Sequence, residues 1–270
     1  MQSRPWQRHY DWNVPEKIRY PRIMAHELLG VSVNAFPDKP ATNFFGTELT
    51  FWELRCRVLR MAHALGEAGV RKGDRVGVHL PNCPQYIISY YASLYLGAIV
   101  VNLNPMYTVD ELKGLTTNTT VSTLITFDMV LPNIRALCQD VEIERVIVTR
   151  GTDYIDGFEQ STPKEMDLEE GWLHFSTMLE ASTSTSLPRV EMSINDPALI
   201  QFTGGTTGLP KGAVLTHANL VTATMLCSLW GSATTGLTPP ETRSVMAVLP
   251  YFHVYGTVVV LNWGMFNCAT

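Results

Sequence analysis

The sequence predicts an α/β protein built on a mainly parallel sheet, and two observations carry that expectation. Between residues 74 and 149, short β-branched runs (RVGVHL, 75–80; AIVVNL, 98–103; STLITF, 122–127; RVIVT, 145–149) alternate with stretches of helical periodicity. Strands separated by helices of about ten to fifteen residues need crossovers, and crossovers join parallel strands. The helical stretches also carry start and stop signals. Thr50 with Glu53, and Thr108 with Glu111, make T-x-x-E capping boxes, and Gly69 and Gly97 stand where helices should end.

In chain order, residues 1–20 place Trp6, Tyr10, Trp12 and Tyr20 among charges and prolines, which suits an arm lying across the surface. A helix is expected over 23–36, stopped by Pro37 and Pro40. Residues 41–50 read as a hairpin turning at Gly46 and Thr47. The next helix shows Leu54, Val58, Met61 and Leu65 at helical spacing, with His63 inside it and expected to be partly exposed rather than a ligand. Asn82 and Pro84 open a tyrosine-rich helix that Gly97 closes. Its tyrosines could form an aromatic ligand box, but packing against the sheet explains them more simply. Residues 132–139 are helical.

Residues 150–193 lose the pattern. They are polar and acidic, then a Ser/Thr run (ASTSTSLP, 181–188), with a short helix around 172–180, and read as a surface excursion. Strands at 198–202 and 212–215 follow, then a helix over 217–230 capped by Thr216 and ended by Gly231. RSVMAVLP (243–250) reads as a further buried strand. The division expected from this order is an N-terminal α/β subdomain over 1–190, with the arm and the excursion, and the start of a second α/β subdomain over 191–270.

Composition narrows the function classes. The 270 residues are 46% hydrophobic and 17% charged, an ordinary globular balance. A net charge of −5 argues against nucleic acid as a partner, and the small clusters Arg55, Arg57, Arg60 and Arg71, Lys72, Arg75 read as solvated helix face and turn. Five cysteines (Cys56, Cys83, Cys138, Cys227, Cys268), odd in number and without C-x-x-C, fit a reduced cytoplasmic protein with no zinc site. No apolar run approaches the ~20 residues of a membrane span, and the N-terminus lacks a signal-peptide core. Weak association with a membrane surface and a homodimer are further expectations.

The chemistry concentrates in ALIQFTGGTTGLPKGAVLTHAN (198–219). Gly204, Gly205 and Gly208 let backbone N–H groups converge and let a bulky anion approach. Thr203, Thr206 and Thr207 add hydroxyl donors, and Lys211 adds a mobile positive charge. These are the parts of a polyphosphate cradle. The loop is not a P-loop, because Pro210 precedes the lysine and Gly212 follows it, and it lacks a G-x-G-x-x-G spacing. Its flanking strands predict a hairpin, so no helix N-terminus backs the phosphates directly. His217, in the first turn of the next helix, is expected to cap or pack rather than to bind phosphate. His253 stands just past the strand expected at 243–250, where open α/β sheets place their ligands; the competing reading is a buried histidine satisfied by a carbonyl.

T-G-G-T-T-G-x-P-K-G followed by T-H-x-N-L closely resembles the phosphate-binding signature of the acyl-adenylate-forming enzymes. These include acyl-CoA synthetases, luciferases and the adenylation domains of peptide synthetases. LTFWELRCRVLRMAHALGEAGVRKGDRVGV (49–78) and LYLGAIVVNLNPMYTVDEL (94–112) resemble the family's first two core motifs, which build scaffold. The N-P-x-Y-T form of the second is similar to fatty acyl-CoA ligases. LPYFHVYG (249–256) is similar to the motif L-P-x-[FY]-H-x-x-G, whose histidine borders the acyl pocket.

The resemblance implies a layered αβα fold with mainly parallel sheets, incomplete at the C-terminus. It implies ATP, Mg2+ and coenzyme A as cofactor and co-substrates, and a carboxylic acid, expected to be a fatty acid, as substrate. Thr203, Thr206 and Thr207 would bind β- and γ-phosphates, with Gly204, Gly205 and Gly208 giving backbone access. Lys211 would add charge or pin the loop, and His253 would border the acyl carboxylate.

The family's later motifs do not occur: Tyr255-Gly256 runs into T-V-V rather than x-T-E, and there is no T-G-D. Those segments bind adenine, ribose and magnesium in the family, and a further domain supplies its catalytic lysine, which Lys211 is not. No metal ligand is therefore expected here. The expectation is an N-terminal fragment, inactive by itself, of an acid–CoA ligase. The alternatives are an adenylating enzyme for an aromatic acid or a non-CoA acceptor, and a non-catalytic nucleotide-binding fragment.

Overall fold

Strands whose two faces are both apolar must be covered on both sides, and this chain covers them with helices. The computed structural model describes residues 4–155, 166–203 and 210–270. A two-stranded hairpin, β1 (Pro40–Phe44) and β2 (Thr47–Thr50), comes first, as the sequence predicts. The main strands are β3 (Arg75–Val78), β4 (Ile99–Asn102), β5 (Thr123–Phe127), β6 (Arg145–Thr149), β7 (Leu173–His174), β8 (Pro197–Thr203) and β9 (Lys211–Thr216). They form one sheet in the order β7-β6-β5-β3-β4-β8-β9. Neighbours are parallel except β8 and β9, an antiparallel hairpin at one edge.

Alternation along the strands sends successive side chains into two different cores. Val100, Ile125 and Ile147 join one cluster, while Val101, Leu124, Val146 and Val148 join the other. On the first face lie α1 (Glu27–Ala35), α2 (Phe51–Glu67) and α3 (Pro84–Tyr95); on the second lie α4 (Val109–Thr119) and α5 (Leu131–Asp140). This is the layered αβα arrangement with a mainly parallel sheet that the sequence predicts. Every residue of α3 is buried, so packing accounts for its tyrosines. Both T-x-x-E capping boxes form: the Glu53 N–H donates to Thr50 Oγ1 at 3.1 Å and Thr50 N–H to Glu53 Oε2 at 2.8 Å, with the same exchange at Thr108 and Glu111. Gly69 and Gly97 take positive φ where α2 and α3 end. His63 is half-buried, and its Nε2 lies 2.9 Å from the Ser186 carbonyl and 3.1 Å from Ser184 Oγ, tying the Ser/Thr run to α2.

Three expected elements differ. The helix expected over 23–36 is regular only over Glu27–Ala35, because the Glu27 carboxylate accepts the Met24 N–H at 2.6 Å and fixes the start there. The stretch expected to be helical at 172–180 begins instead as β7, paired to Ile147 and Val148, and only then enters α6 (Phe175–Ala181). Two strand residues are too few to display a period.

The third is 243–250, which is extended but forms no strand. Alternation persists: Val245 and Ala247 pack on the core, while Met246 is 84% and Val248 71% exposed. Its backbone meets a neighbour at Thr270, which donates to the Arg243 carbonyl at 3.0 Å and accepts from the Val245 N–H at 2.9 Å. A strand needs a ladder, and one bridging residue does not make one.

After α7 (His217–Trp230) and α8 (Ser232–Thr235), the chain closes with a π-helical segment, Gly256–Asn262, running into α9 (Trp263–Phe266). Early residues hold these late ones. Lys39 Nζ donates to the carbonyls of Pro240 (2.6 Å), Arg243 (2.7 Å) and Cys268 (2.5 Å). Ser32 Oγ donates to the Met265 carbonyl, and Thr270 Oγ1 donates to the Pro40 carbonyl at 2.7 Å. All five thiols are free, and no helix among the described residues is long and apolar enough to cross a membrane. The boundary expected near residue 190 falls in the irregular stretch between α6 and β8, and β8 then pairs with β4.

Candidate functional site

Apolar Ala198, Leu199, Ile200 and Phe202 bury β8 beside β4, and the strand surfaces at Thr203. β9 returns antiparallel with Lys211 in register opposite Thr203, whose Oγ1 donates to the Lys211 carbonyl at 3.3 Å. Gly204, Gly205, Thr206, Thr207 and Gly208 lie outside the described residues. The two described members of the cradle thus face each other at its mouth, both exposed, at the carboxyl end of a parallel strand. An exposed ammonium and hydroxyl there offer donors to an anion.

His253 comes from a turn that the sequence places in the same region but cannot orient. Its N–H donates to the Pro250 carbonyl at 3.1 Å, and its carbonyl accepts from the Thr257 N–H at 2.9 Å. The imidazole is exposed, beside the Phe252 ring at a centroid distance of 4.8 Å, so it is not a buried structural histidine. Gly256 permits this turn, since a Cβ there would fall 2.0 Å from the Pro250 carbonyl oxygen. The geometry brings hairpin and turn together through Gln201, two residues before Thr203, whose Nε2 donates to the Phe252 carbonyl at 2.8 Å.

Gln201 belongs to a buried polar group that motif reading missed. Asn102, at the end of β4, donates from Nδ2 to Gln201 Oε1 (3.0 Å) and Thr257 Oγ1 (3.2 Å). The Tyr86 hydroxyl lies 2.6 Å from Asn102 Oδ1 and 2.9 Å from the Tyr251 carbonyl, which also accepts from Thr257 Oγ1 at 2.5 Å. From the bend before α3, Asn82 donates to the carbonyls of Ala247 (2.8 Å) and Leu249 (2.9 Å) and accepts from the Tyr251 N–H (2.7 Å). Burial holds the Tyr86 hydroxyl well above its ordinary pKa, so it stays neutral. The available signal was an amide side chain inside an apolar run: Asn102 ends AIVVN, and Gln201 interrupts ALIQF. A buried amide must find partners.

Helix α7 follows β9 through a third capping box, Thr216 with Asn219. His217 packs, as expected. Its ring is fully buried, its Nδ1 accepts from the Ala25 N–H at 3.2 Å, and it meets His26 edge-on at 6.1 Å between centroids. Burial lowers His217 to about 4 against the opposing pull of Asp196, and burial with the neighbouring His217 lowers His26 to about 3. Both are neutral at pH 7.

Comparison with known proteins agrees with this geometry. A family model described as AMP-binding enzyme matches residues 30–270. A long-chain-fatty-acid–CoA ligase of Bacillus subtilis (strain 168) is 34% identical over 277 aligned residues, which cover 98% of this chain and 49% of that protein. Among solved structures, a long-chain-fatty-acid–CoA ligase from Archaeoglobus fulgidus superposes with a TM-score of 0.74 at 26% identity, over 95% of this chain and 48% of that one. An anthranilate CoA ligase in complex with anthranoyl-AMP shares the fold, with a TM-score of 0.76 at 22% identity over 92% of this chain and 44% of its own. The chain spans about half the length of the curated relatives it matches. With that match running through the hairpin and the His253 turn, the chain belongs to the AMP-binding enzyme family, the acyl-adenylate-forming superfamily, with long-chain-fatty-acid–CoA ligases among its relatives.

Proposed function

We propose that this chain is the N-terminal part of an ATP-dependent carboxylic acid–CoA ligase acting on fatty acids through an acyl-AMP intermediate. The observation that carries the reading is the β8–β9 hairpin, which sets Thr203 and Lys211 at the mouth of a Gly/Thr loop beside the His253 turn. In the first step a carboxylate oxygen attacks the α-phosphorus of ATP. The bond from that phosphorus to the bridging oxygen breaks, and pyrophosphate leaves. In the second, the thiolate of coenzyme A attacks the acyl carbonyl and AMP leaves.

The hairpin's part in this is to hold the β- and γ-phosphates: Thr203 with Thr206 and Thr207 as hydroxyl donors, Gly204, Gly205 and Gly208 as backbone access, and Lys211 as charge. His253 borders the carboxylate and can donate to it. Mg2+ bound with ATP would neutralise phosphoryl charge. Among the described residues no group of three or more His, Cys, Asp or Glu could hold a metal, so no ligand for it is assigned here.

Fatty acid as substrate is supported by relatives named for that activity. Division into 1–190 and 191–270 belongs to the same proposal and is supported by the irregular stretch before β8. So do cytoplasmic residence, weak contact with a membrane surface suited to an apolar substrate, and a homodimer.

Titrating ATP into the 270-residue chain tests the phosphate site. Binding is expected, and Lys211→Ala should weaken it about tenfold, the loss of one charge-assisted contact. Absence of binding, or an unchanged affinity in the variant, would sink the assignment. ATP–pyrophosphate exchange with palmitate, with benzoate and without acid tests the rest. No exchange is expected from this chain, which spans half the length of its relatives, whereas a full-length version should exchange with palmitate. Exchange favouring benzoate would overturn the fatty-acid reading, and robust exchange of any kind by this chain would falsify its inactivity alone.

A further inference from the structure

We propose that Gln201 and Asn102 are positioning residues that fix the spacing between the phosphate hairpin and the His253 turn; the functional meaning of that spacing rests on the reading above. The turn is held in an unusual way. Its backbone joins no sheet ladder, and the carbonyls of two consecutive residues, Tyr251 and Phe252, are taken by side chains. Tyr251 O accepts from Thr257 Oγ1, with the Tyr86 hydroxyl 2.9 Å away; Phe252 O accepts from Gln201 Nε2; His253 O accepts from the Thr257 backbone N–H. Asn102 orients the set. It gives one N–H to Gln201 Oε1 and another to Thr257 Oγ1, and its Oδ1 faces the Tyr86 hydroxyl.

Gln201 is 5% and Asn102 2% exposed, so neither amide can exchange these partners for water. Because Gln201 points into the turn two residues before Thr203, the turn is locked about 7 Å along β8 from the mouth of the loop. The hairpin that holds the phosphates and the turn that borders the carboxylate are thereby fixed to the same strand. A displacement of about 1 Å between such groups can cost a hundredfold in rate.

Amide hydrogen exchange on the whole chain tests this without any substrate. In Gln201→Met, exchange across 250–257 should rise about tenfold, while the β5 and β6 segments change less than about twofold. Gln201→Asn keeps a neutral amide but is one methylene shorter and cannot reach both Asn102 and the Phe252 carbonyl, so it should free the turn in the same way without burying a charge. Should Gln201→Met fail to fold, the asparagine variant carries the test. A folded variant with an unchanged turn overturns the proposal. So does equal acceleration in every segment, which is what a purely structural amide would give.

Added ATP then examines the link. In the parent chain it should protect both 211–216 and 250–257, and in either variant 211–216 alone. ATP that protects nothing in the parent chain counts against the phosphate site, while the ligand-free exchange still decides the positioning role.

Discussion

The strands β3 to β6 and the run 243–249 share one kind of sequence, short and largely apolar, yet they are held by different forces. The strands sit in a continuous parallel ladder with both faces covered. The run is extended with one face open, and it is fastened by side chains from far away: Asn82 at Ala247 and Leu249, Lys39 at Arg243. The contrast teaches that a short apolar run specifies an extended backbone. Whether that backbone becomes a strand depends on a neighbour, and the neighbour is encoded elsewhere in the chain.

Acid should break the closed side hardest. His26, His79 and His217 are buried and neutral, and burial lowers them to about 3, 4 and 4. His26 Nδ1, His79 Nε2 and His217 Nε2 have no hydrogen-bond partner among the described residues to stabilise a charge. Unfolded histidine titrates near 6.5, so below that pH the unfolded chain binds more protons than the folded one. Stability is therefore full above about pH 6.5 and falls as pH drops toward 4. At pH 5 each histidine costs about 2 kcal/mol. Urea midpoints measured from pH 7.5 to 4.5 should show the fall, and a flat profile would mean these rings are hydrated or paired.

Next in size is the pair that sets the regions side by side. Ile125→Ala, at a fully buried position in β5, should cost about 2–5 kcal/mol, whereas Met246→Ala, 84% exposed in the run, should cost under about 0.5 kcal/mol. Similar losses by urea unfolding would erase the distinction. Asn82→Leu removes the fastening of the run, and about 1–3 kcal/mol with faster exchange over 247–251 is expected. An effect spread evenly over the sheet would show that Asn82 serves the core. Thr216→Ala should cost less than Asn82→Leu, about 1 kcal/mol from the lost capping box, read as a lower melting temperature.

What was legible in the sequence was local. The capping boxes announce themselves over four residues, the phosphate loop over ten, and β3 to β6 through apolar runs with both faces dressed for burial. β7 was too short to read. The fastening of the site was illegible for a different reason: Asn102 meets Gln201 across 99 positions and Thr257 across 155. Nothing near either residue names its partner. Only the misfit of an amide in an apolar strand marks the place.

The ties from Ser32 and Lys39 to residues 240–268 have a consequence for synthesis. These partners lie 201 to 236 positions further along the chain. At about 5–20 residues per second, the inner surface of α1 emerges from the ribosome on the order of 10–50 s before the groups that close over it. Helix α1 is made long before the groups that seal it, so the nascent chain spends that interval with Leu28, Leu29 and Val33 in need of a temporary cover.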